Sequence, residues 1–240
     1  KTIGKGVVDF NDIIYGNRND PILNHFTLHI NSHNITVVTG PTGSGKTGII
    51  DLLLKLNKQH EGTIKIDKVD INDYADGVYF SSVAAVRKNP IFFHMSIRDN
   101  LEVLEPDFEK IVEVCKEIGV HDDIMKLQNG YDTVISESAS NVTNDVKYLL
   151  SIARVILKNP KVLLFDETLN AFPKEVDLQL MEYFRKTKGK HSVVIISKEK
   201  HVIEEADQVV YMEKGQVMAS GKHEVLLLKN DDYKKYFNEL

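Results

Sequence analysis

Gly40-Pro41-Thr42-Gly43-Ser44-Gly45-Lys46-Thr47 lies between an apolar run, Ile35-Thr36-Val37-Val38-Thr39, and a stretch from Gly48 to Asn57 whose apolar residues recur at helical spacing. The octet satisfies G-x-x-x-x-G-K-[ST], the phosphate-binding P-loop. The run before it reads as a buried strand and the stretch after it as a helix. Strand, glycine loop and helix is the order that phosphate binding needs. Glycines let backbone N–H groups curl around phosphate oxygens with no Cβ in the way. The helix start behind them adds partial positive charge. On this pattern Lys46 reaches the β- and γ-phosphates and the Thr47 hydroxyl ligates Mg²⁺. Gly40, Thr42, Gly43, Ser44, Gly45 and Gly48 complete the expected lining of a nucleoside triphosphate site. The bland alternative is an ordinary glycine-rich turn.

A second candidate site lies far along the chain. Val162-Leu163-Leu164-Phe165 reads as a strand buried on both faces, and it ends in Asp166-Glu167. Carboxylates at the carboxyl end of such a strand sit where ligands bind in open α/β sheets. In a nucleotide site Asp166 holds Mg²⁺, directly or through water, and Glu167 polarises the attacking water. An apolar strand ending in two acids is common. The upstream P-loop, with helical sequence between, is what gives it weight.

The chain has 240 residues, 42% hydrophobic and 27% charged, with a net charge of −5. That suits one large globular domain with an ample core, and it offers no basic block to suggest a nucleic-acid partner. The lysines between Lys55 and Lys68 read as a solvated face. The single cysteine, Cys115, excludes an internal disulfide and reads as core. No apolar run approaches the ~18 residues of a membrane span. The chain begins at Lys1 rather than Met, as a segment of a longer polypeptide would. Residues 5–15 and 23–30 read as strands, 62–71 as a short strand and turn, and about 91–157 as mostly helical. From Lys161 onward the order is strand, helix, strand, helix, strand pair, helix. Such alternation implies a parallel sheet covered by helices, with a helical region inserted.

These motifs and what surrounds them resemble the nucleotide-binding domain of an exporter-type ABC transporter, over nearly the whole chain. Gly6-Val7-Val8-Asp9-Phe10 through Tyr15 is similar to that domain's opening strand. Val86-Arg87-Lys88-Asn89-Pro90-Ile91-Phe92-Phe93, then Ser96-Ile97-Arg98-Asp99-Asn100-Leu101, follows its Q-loop and the helix behind it. Gly130-Tyr131-Asp132-Thr133-Val134-Ile135-Ser136-Glu137 is similar to the segment ending in its X-loop. The tail, Ala206 to Val210 and Gly221 to Leu226, has the exporter pattern too. The resemblance implies an α/β fold: a P-loop core with a parallel sheet, an N-terminal antiparallel β subdomain, and a helical subdomain at about 91–157 inserted between 1–90 and 158–240. It implies ATP and Mg²⁺ as ligands, and a transmembrane domain, expected on the same polypeptide, as partner. It further implies a second nucleotide-binding domain facing this one head to tail, at the cytoplasmic face of a membrane. Tyr15 stands where the family carries an aromatic that stacks on adenine, its alternative being an ordinary strand tyrosine. Glu137 stands where the family contacts the membrane domain.

The chain also departs from that pattern. Lys88 replaces the Q-loop glutamine, and an ammonium cannot ligate a cation. Lys198 replaces the switch histidine, and Pro173 the D-loop aspartate. Val142-Thr143-Asn144-Asp145-Val146 replaces the signature whose glycines let backbone N–H groups approach the opposite γ-phosphate. Asp145 adds a like charge there unless it caps its helix, and Thr143 keeps a hydroxyl. The expectation is retained ATP binding with slow or partner-dependent hydrolysis, the second domain being a non-identical one. A nucleotide-binding pseudo-ATPase and a soluble ABC-type ATPase are the alternatives.

Overall fold

The runs read as buried strands form the centre of the molecule. A computed structural model describes residues 1–58, 60–86, 89–102, 107–166 and 173–240. In it β3 (Ile35–Thr39), β7 (Val162–Asp166) and β8 (Ser192–Ile196) are buried almost throughout. With β6 (Val83–Val86), β9 (Gln208–Glu213) and β10 (Gln216–Gly221) they make a six-stranded sheet in the order β10-β9-β3-β8-β7-β6. All neighbours in it are parallel except the β9–β10 hairpin at one edge. A second sheet is antiparallel, in the order β2-β1-β4-β5, from β1 (Val8–Asn17), β2 (Asp20–Ile30), β4 (His60–Ile66) and β5 (Val69–Asp70).

Alternation along the central strands sends successive side chains to opposite faces. Val37, Leu163, Phe165, Val193 and Ile195 belong to one core with helices α4 (Phe108–Ile118), α6 (Asn144–Ile156), α7 (Lys174–Lys186) and α8 (Lys200–Glu204). Val38, Leu164, Val194 and Ile196 belong to the other, with α1 (Lys46–Leu53), α2 (Asp76–Ser82) and the antiparallel sheet. The sheet is thus sandwiched, as strands apolar on both faces require. Helices α3 (Ile97–Glu102), α4, α5 (His121–Met125) and α6 all fall between β6 and β7. At the end of the chain come α9 (His223–Lys229) and α10 (Asp231–Glu239).

Several local expectations change. The helix after the P-loop stops at Leu53 rather than Asn57, because Lys55 takes a left-handed φ of 54° and turns the chain away. Lys55 itself is no part of a solvated face. Its side chain is 7% exposed, with the ammonium 4.1 Å from the Tyr79 ring centroid and paired with Asp76 at 3.3 Å. α2 and β6, absent from the sequence reading, follow directly on one another and complete the sheet edge. Cys115 is fully buried, and burial pushes its thiol up to about 11. Asp67, at the turn between β4 and β5, ties down the start of the chain by accepting from the backbone N–H groups of Gly4, Lys5, Gly6 and Val7.

Candidate nucleotide site

The P-loop springs from the carboxyl end of β3, at the same sheet edge as the ends of β7 and β8. Register places Val38 beside Ile196, and Ile196 beside Asp166. Three adjacent strands therefore deliver the loop, the Ser197–Lys198 segment and the Asp166 carboxylate to one edge, the usual ligand position in open α/β sheets.

Glycine is required in the loop for two different reasons. Gly40 and Gly45 have φ of 153° and 94°, and a Cβ on either would lie 2.2 Å from a backbone oxygen, of Met212 and Ile22 respectively. Gly43, with φ 79°, meets nothing within 4 Å on that side, so its backbone shape alone excludes other residues while the space above it stays open. Behind the loop, Ser44 O accepts from Gly215 N–H at 2.9 Å, and Gly215 O from Asn24 N–H at 3.0 Å. The β9–β10 turn and β2 thus brace the face turned away from the opening. Ser44 is buried, as is Gly48 in α1, which faces the side chains of Ile22 and Tyr15, while Thr42 and Thr47 are exposed, Thr47 in the first turn of α1.

Lys46 is only 4% exposed. Its ammonium folds back to donate to Gly40 O at 2.8 Å, Pro41 O at 2.9 Å and Ser44 Oγ at 3.3 Å. Those oxygens stand in for the phosphate oxygens that a P-loop lysine is expected to meet. Lys198 comes to the same loop from the end of β8, donating to Thr42 Oγ1 at 2.7 Å. Two ammonium groups and the start of α1 therefore converge on one small loop. Among the described residues no cluster of three or more His, Cys, Asp or Glu is placed to hold a metal. One hydroxyl (Thr47) and one carboxylate (Asp166) fit a Mg²⁺ that keeps several waters and takes further oxygens from phosphate.

Other expected site residues fall elsewhere. Tyr15 is not an exposed platform: it is 6% exposed, in the core under α1, with its ring carbons 3.3 and 3.4 Å from where a Cβ on Gly48 would be. Burial alternates from Ile13 to Gly16, which turns this ring inward against α1. Asp145 does not cap α6. The cap is Thr143, whose Oγ1 accepts from Val146 N–H at 3.3 Å, leaving Asp145 in the first turn and Asn144 exposed beside it. Pro173 immediately precedes α7. Glu137 is exposed, just past a segment whose residues 133–135 pair with 95–97 through Ile97 N–H to Thr133 O and Ile135 N–H to Met95 O, both 2.9 Å. Next to that pairing opens a cleft of about 630 Å³ lined by Val86, Pro90, Ile91, Phe93, Asn100 and Arg154. Ile91 and Phe93 are 77% and 56% exposed there. Lys88 and Glu167 lie outside the described residues.

Two contacts escaped the sequence reading. Tyr236 of α10 reaches the head of the P-loop. Asp177 of α7, fully buried, meets His201 Nε2 of α8 at 2.7 Å, joining the helices that follow the Asp166 and Lys198 segments. Burial raises the Asp177 carboxyl, and the His201 bond opposes that. No local pattern marks either pair, since the partners are far apart in sequence.

A glycine loop at the carboxyl edge of a parallel sheet, with its lysine at the start of the next helix, defines a P-loop nucleotide-binding domain. The profile of the ABC transporter family matches residues 23–170, and the chain belongs to that family. It is 30% identical over 232 residues to a protein of Mycoplasma pneumoniae inferred to be an ABC transporter ATP-binding protein, covering 95% of this chain and 37% of that protein. It is 29% identical over 239 residues to the alpha-hemolysin translocation ATP-binding protein of Proteus vulgaris, covering 98% of this chain and 34% of that one. The chain therefore spans little more than a third of the length of these relatives. Its fold matches that of a bacterial Atm1-family ABC exporter solved with ATP bound, with a TM-score of 0.90 at 23% identity over 100% of this chain and 43% of the exporter. The expected fold is thereby met: the ABC ATPase fold, with its antiparallel sheet and its helices between β6 and β7.

Proposed function

We propose that residues 40–48 bind Mg-ATP and that the chain is the motor domain of an ABC exporter, converting nucleotide binding into movement of a membrane domain. The observation that carries this reading is the pair of cations on one loop, Lys46 caged by Gly40 and Pro41 and Lys198 bonded to Thr42. A triphosphate with its metal supplies the anionic oxygens that these ammonium groups now find on the protein. Lys46 then serves the β- and γ-phosphates, and Lys198 the terminal phosphate in place of a histidine. Thr47 and Asp166 hold Mg²⁺, and Glu167 is assigned to polarise water. The membrane domain, on the same polypeptide, docks on the apolar cleft of Ile91 and Phe93 and on the segment ending in Glu137. That places the chain at the cytoplasmic face of a membrane; no helix among the described residues is itself long and apolar enough to cross one.

Hydrolysis is proposed to be weak in the isolated chain. In a head-to-tail pair the start of α6 faces the partner's ATP, and here it carries Asp145 in its first turn. At about 5 Å and an effective dielectric near 20, one unit of like charge costs roughly 3 kcal/mol. A second, non-identical domain with an intact signature would escape that cost at this chain's own P-loop. The acidic first turn of α6 also favours the second reading, a nucleotide-binding pseudo-ATPase. Mg-ATP hydrolysis measured across protein concentration, with Lys46→Ala as blank, separates them. Activity that rises with concentration supports a self-associating motor. A signal at the blank, with ATP bound, supports either an obligatory different partner or the pseudo-ATPase, and adding a partner domain decides between those two.

A further inference from the structure

The first residue of the P-loop is held from outside the loop. Gly40 is buried, and it lies just past the last ladder pair of β3 and β9, Thr39 with Tyr211. A backbone N–H at that point has run out of sheet and must find another acceptor. It finds the phenol of Tyr236, with Gly40 N–H donating to Tyr236 Oη at 3.0 Å. The same phenol shares a hydrogen bond of 2.8 Å with the fully buried hydroxyl of Thr39. The ring is itself located by stacking on Tyr211, centroids 5.1 Å apart and planes 29° from parallel. α10, which carries it, is anchored by Tyr233 and Phe237, with Tyr233 Oη 2.8 Å from His223 Nδ1.

Gly40 is thus gripped on both sides, its N–H by Tyr236 and its carbonyl by the Lys46 ammonium at 2.8 Å. The two grips respond differently to a ligand. A nucleotide draws the ammonium toward phosphate, because a charge-assisted bond to an anion outweighs one to a neutral carbonyl, and the carbonyl side is released. The phenol lies behind the loop and stays. We infer that Tyr236 is a positioning residue of the nucleotide site: the C-terminal helix holds the head of the P-loop in its binding shape when Lys46 leaves it for the phosphates. The inference rests on the reading that residues 40–48 hold a nucleotide. It adds that affinity depends on a phenol 196 residues further along the chain.

The test is Mg-ATP affinity by titration calorimetry, paired with the thermal unfolding midpoint without nucleotide, for Tyr236→Phe and Tyr233→Phe in the 240-residue chain. Tyr236→Phe keeps the ring and removes only the oxygen that meets Gly40 and Thr39. It is expected to raise Kd by about tenfold; the buried Gly40 N–H and Thr39 hydroxyl that lose this oxygen also lower the midpoint, by about as much as Tyr233→Phe does. Tyr233→Phe removes a hydrogen bond of the same helix that does not touch the loop. It is expected to lower the midpoint and leave Kd within about twofold. An unchanged Kd in Tyr236→Phe overturns the inference. So does an equal rise in both variants, which would assign the effect to helix docking in general and not to this phenol. Wild-type binding, and its loss in Lys46→Ala, tests the nucleotide reading separately.

Discussion

The start of α1 and the start of α6 are both helix N-termini at positions we propose to be functional, yet they are built to opposite ends. At α1 the turn preceding the helix is glycine, with Gly45 as the capping residue in a left-handed conformation and no side-chain cap. Gly48 N–H turns back to Gly45 O at 3.1 Å, but no side chain caps the first turn, its dipole faces the loop, and Lys46 and Lys198 add positive charge. At α6 the N–H of Val146 is already taken by Thr143 Oγ1, and Asp145 fills the first turn with negative charge. That arrangement stabilises the helix through its dipole and repels a phosphate. A helix start can serve its own stability or a ligand, and the side chains on its first turn decide which.

The largest effect should come from the cation that most separates the two. Lys46→Ala is expected to raise the Mg-ATP Kd by about a hundredfold, two charge-assisted bonds' worth; calorimetry would show it, and an unchanged Kd would remove Lys46 from the site. Next in size, Asn144→Gly with Asp145→Gly makes the start of α6 resemble that of α1. Hydrolysis per molecule at high protein concentration should then rise about tenfold or more, since a like charge near 5 Å costs on the order of 3 kcal/mol before screening. No rise would mean that α6 does not face a nucleotide. Lys198→Ala should weaken ATP by about fivefold and ADP hardly at all if its ammonium serves the terminal phosphate; equal losses for both nucleotides would move it to another phosphate.

The smallest effect on nucleotide binding concerns a carboxylate on the antiparallel sheet, away from both helix starts. Burial acts to raise Asp67, but four backbone N–H donors outweigh it and hold the folded carboxyl below 3.8. A depressed folded value means stability that is fully present above 3.8 and fades below it, as the pH falls through the lower folded value. Asp67→Ala should cost about 1–2 kcal/mol near neutrality, flatten the acid limb of the stability profile and leave nucleotide affinity unchanged. Unfolding midpoints against pH would check it, and a shifted Kd would show that the comparison lacks a neutral reference.

What could be read without coordinates was what is local. The P-loop is contiguous, its glycines answer to backbone geometry over a few residues, and strands apolar on both faces announce a sandwiched sheet, so residues 35–53 and 162–166 carried the fold and the proposed phosphate site. The inserted helices between β6 and β7 were legible for the same reason, from apolar spacing alone. Position within an element was harder. Tyr15 sits in an expected strand, but whether its ring faces a ligand or the core depends on which way β1 lies against α1. Asp145 offered itself as the cap by residue type, and only the turn's geometry gave that place to the Thr143 hydroxyl. α2 and β6 are short, and nothing in their sequence competes with the turn residues around them.

The sequence by itself determined that this chain folds as an α/β P-loop domain and that its signature segment is acidic, because both follow from neighbouring residues. Tertiary structure alone decided that Lys198 meets Thr42 across 156 positions, that Asp177 meets His201, and that Tyr236 holds Gly40. Those contacts arise where separate strands end at one sheet edge and where the last helix folds back over it. Their geometry is set by the packing of the whole core and leaves no periodic trace in the chain.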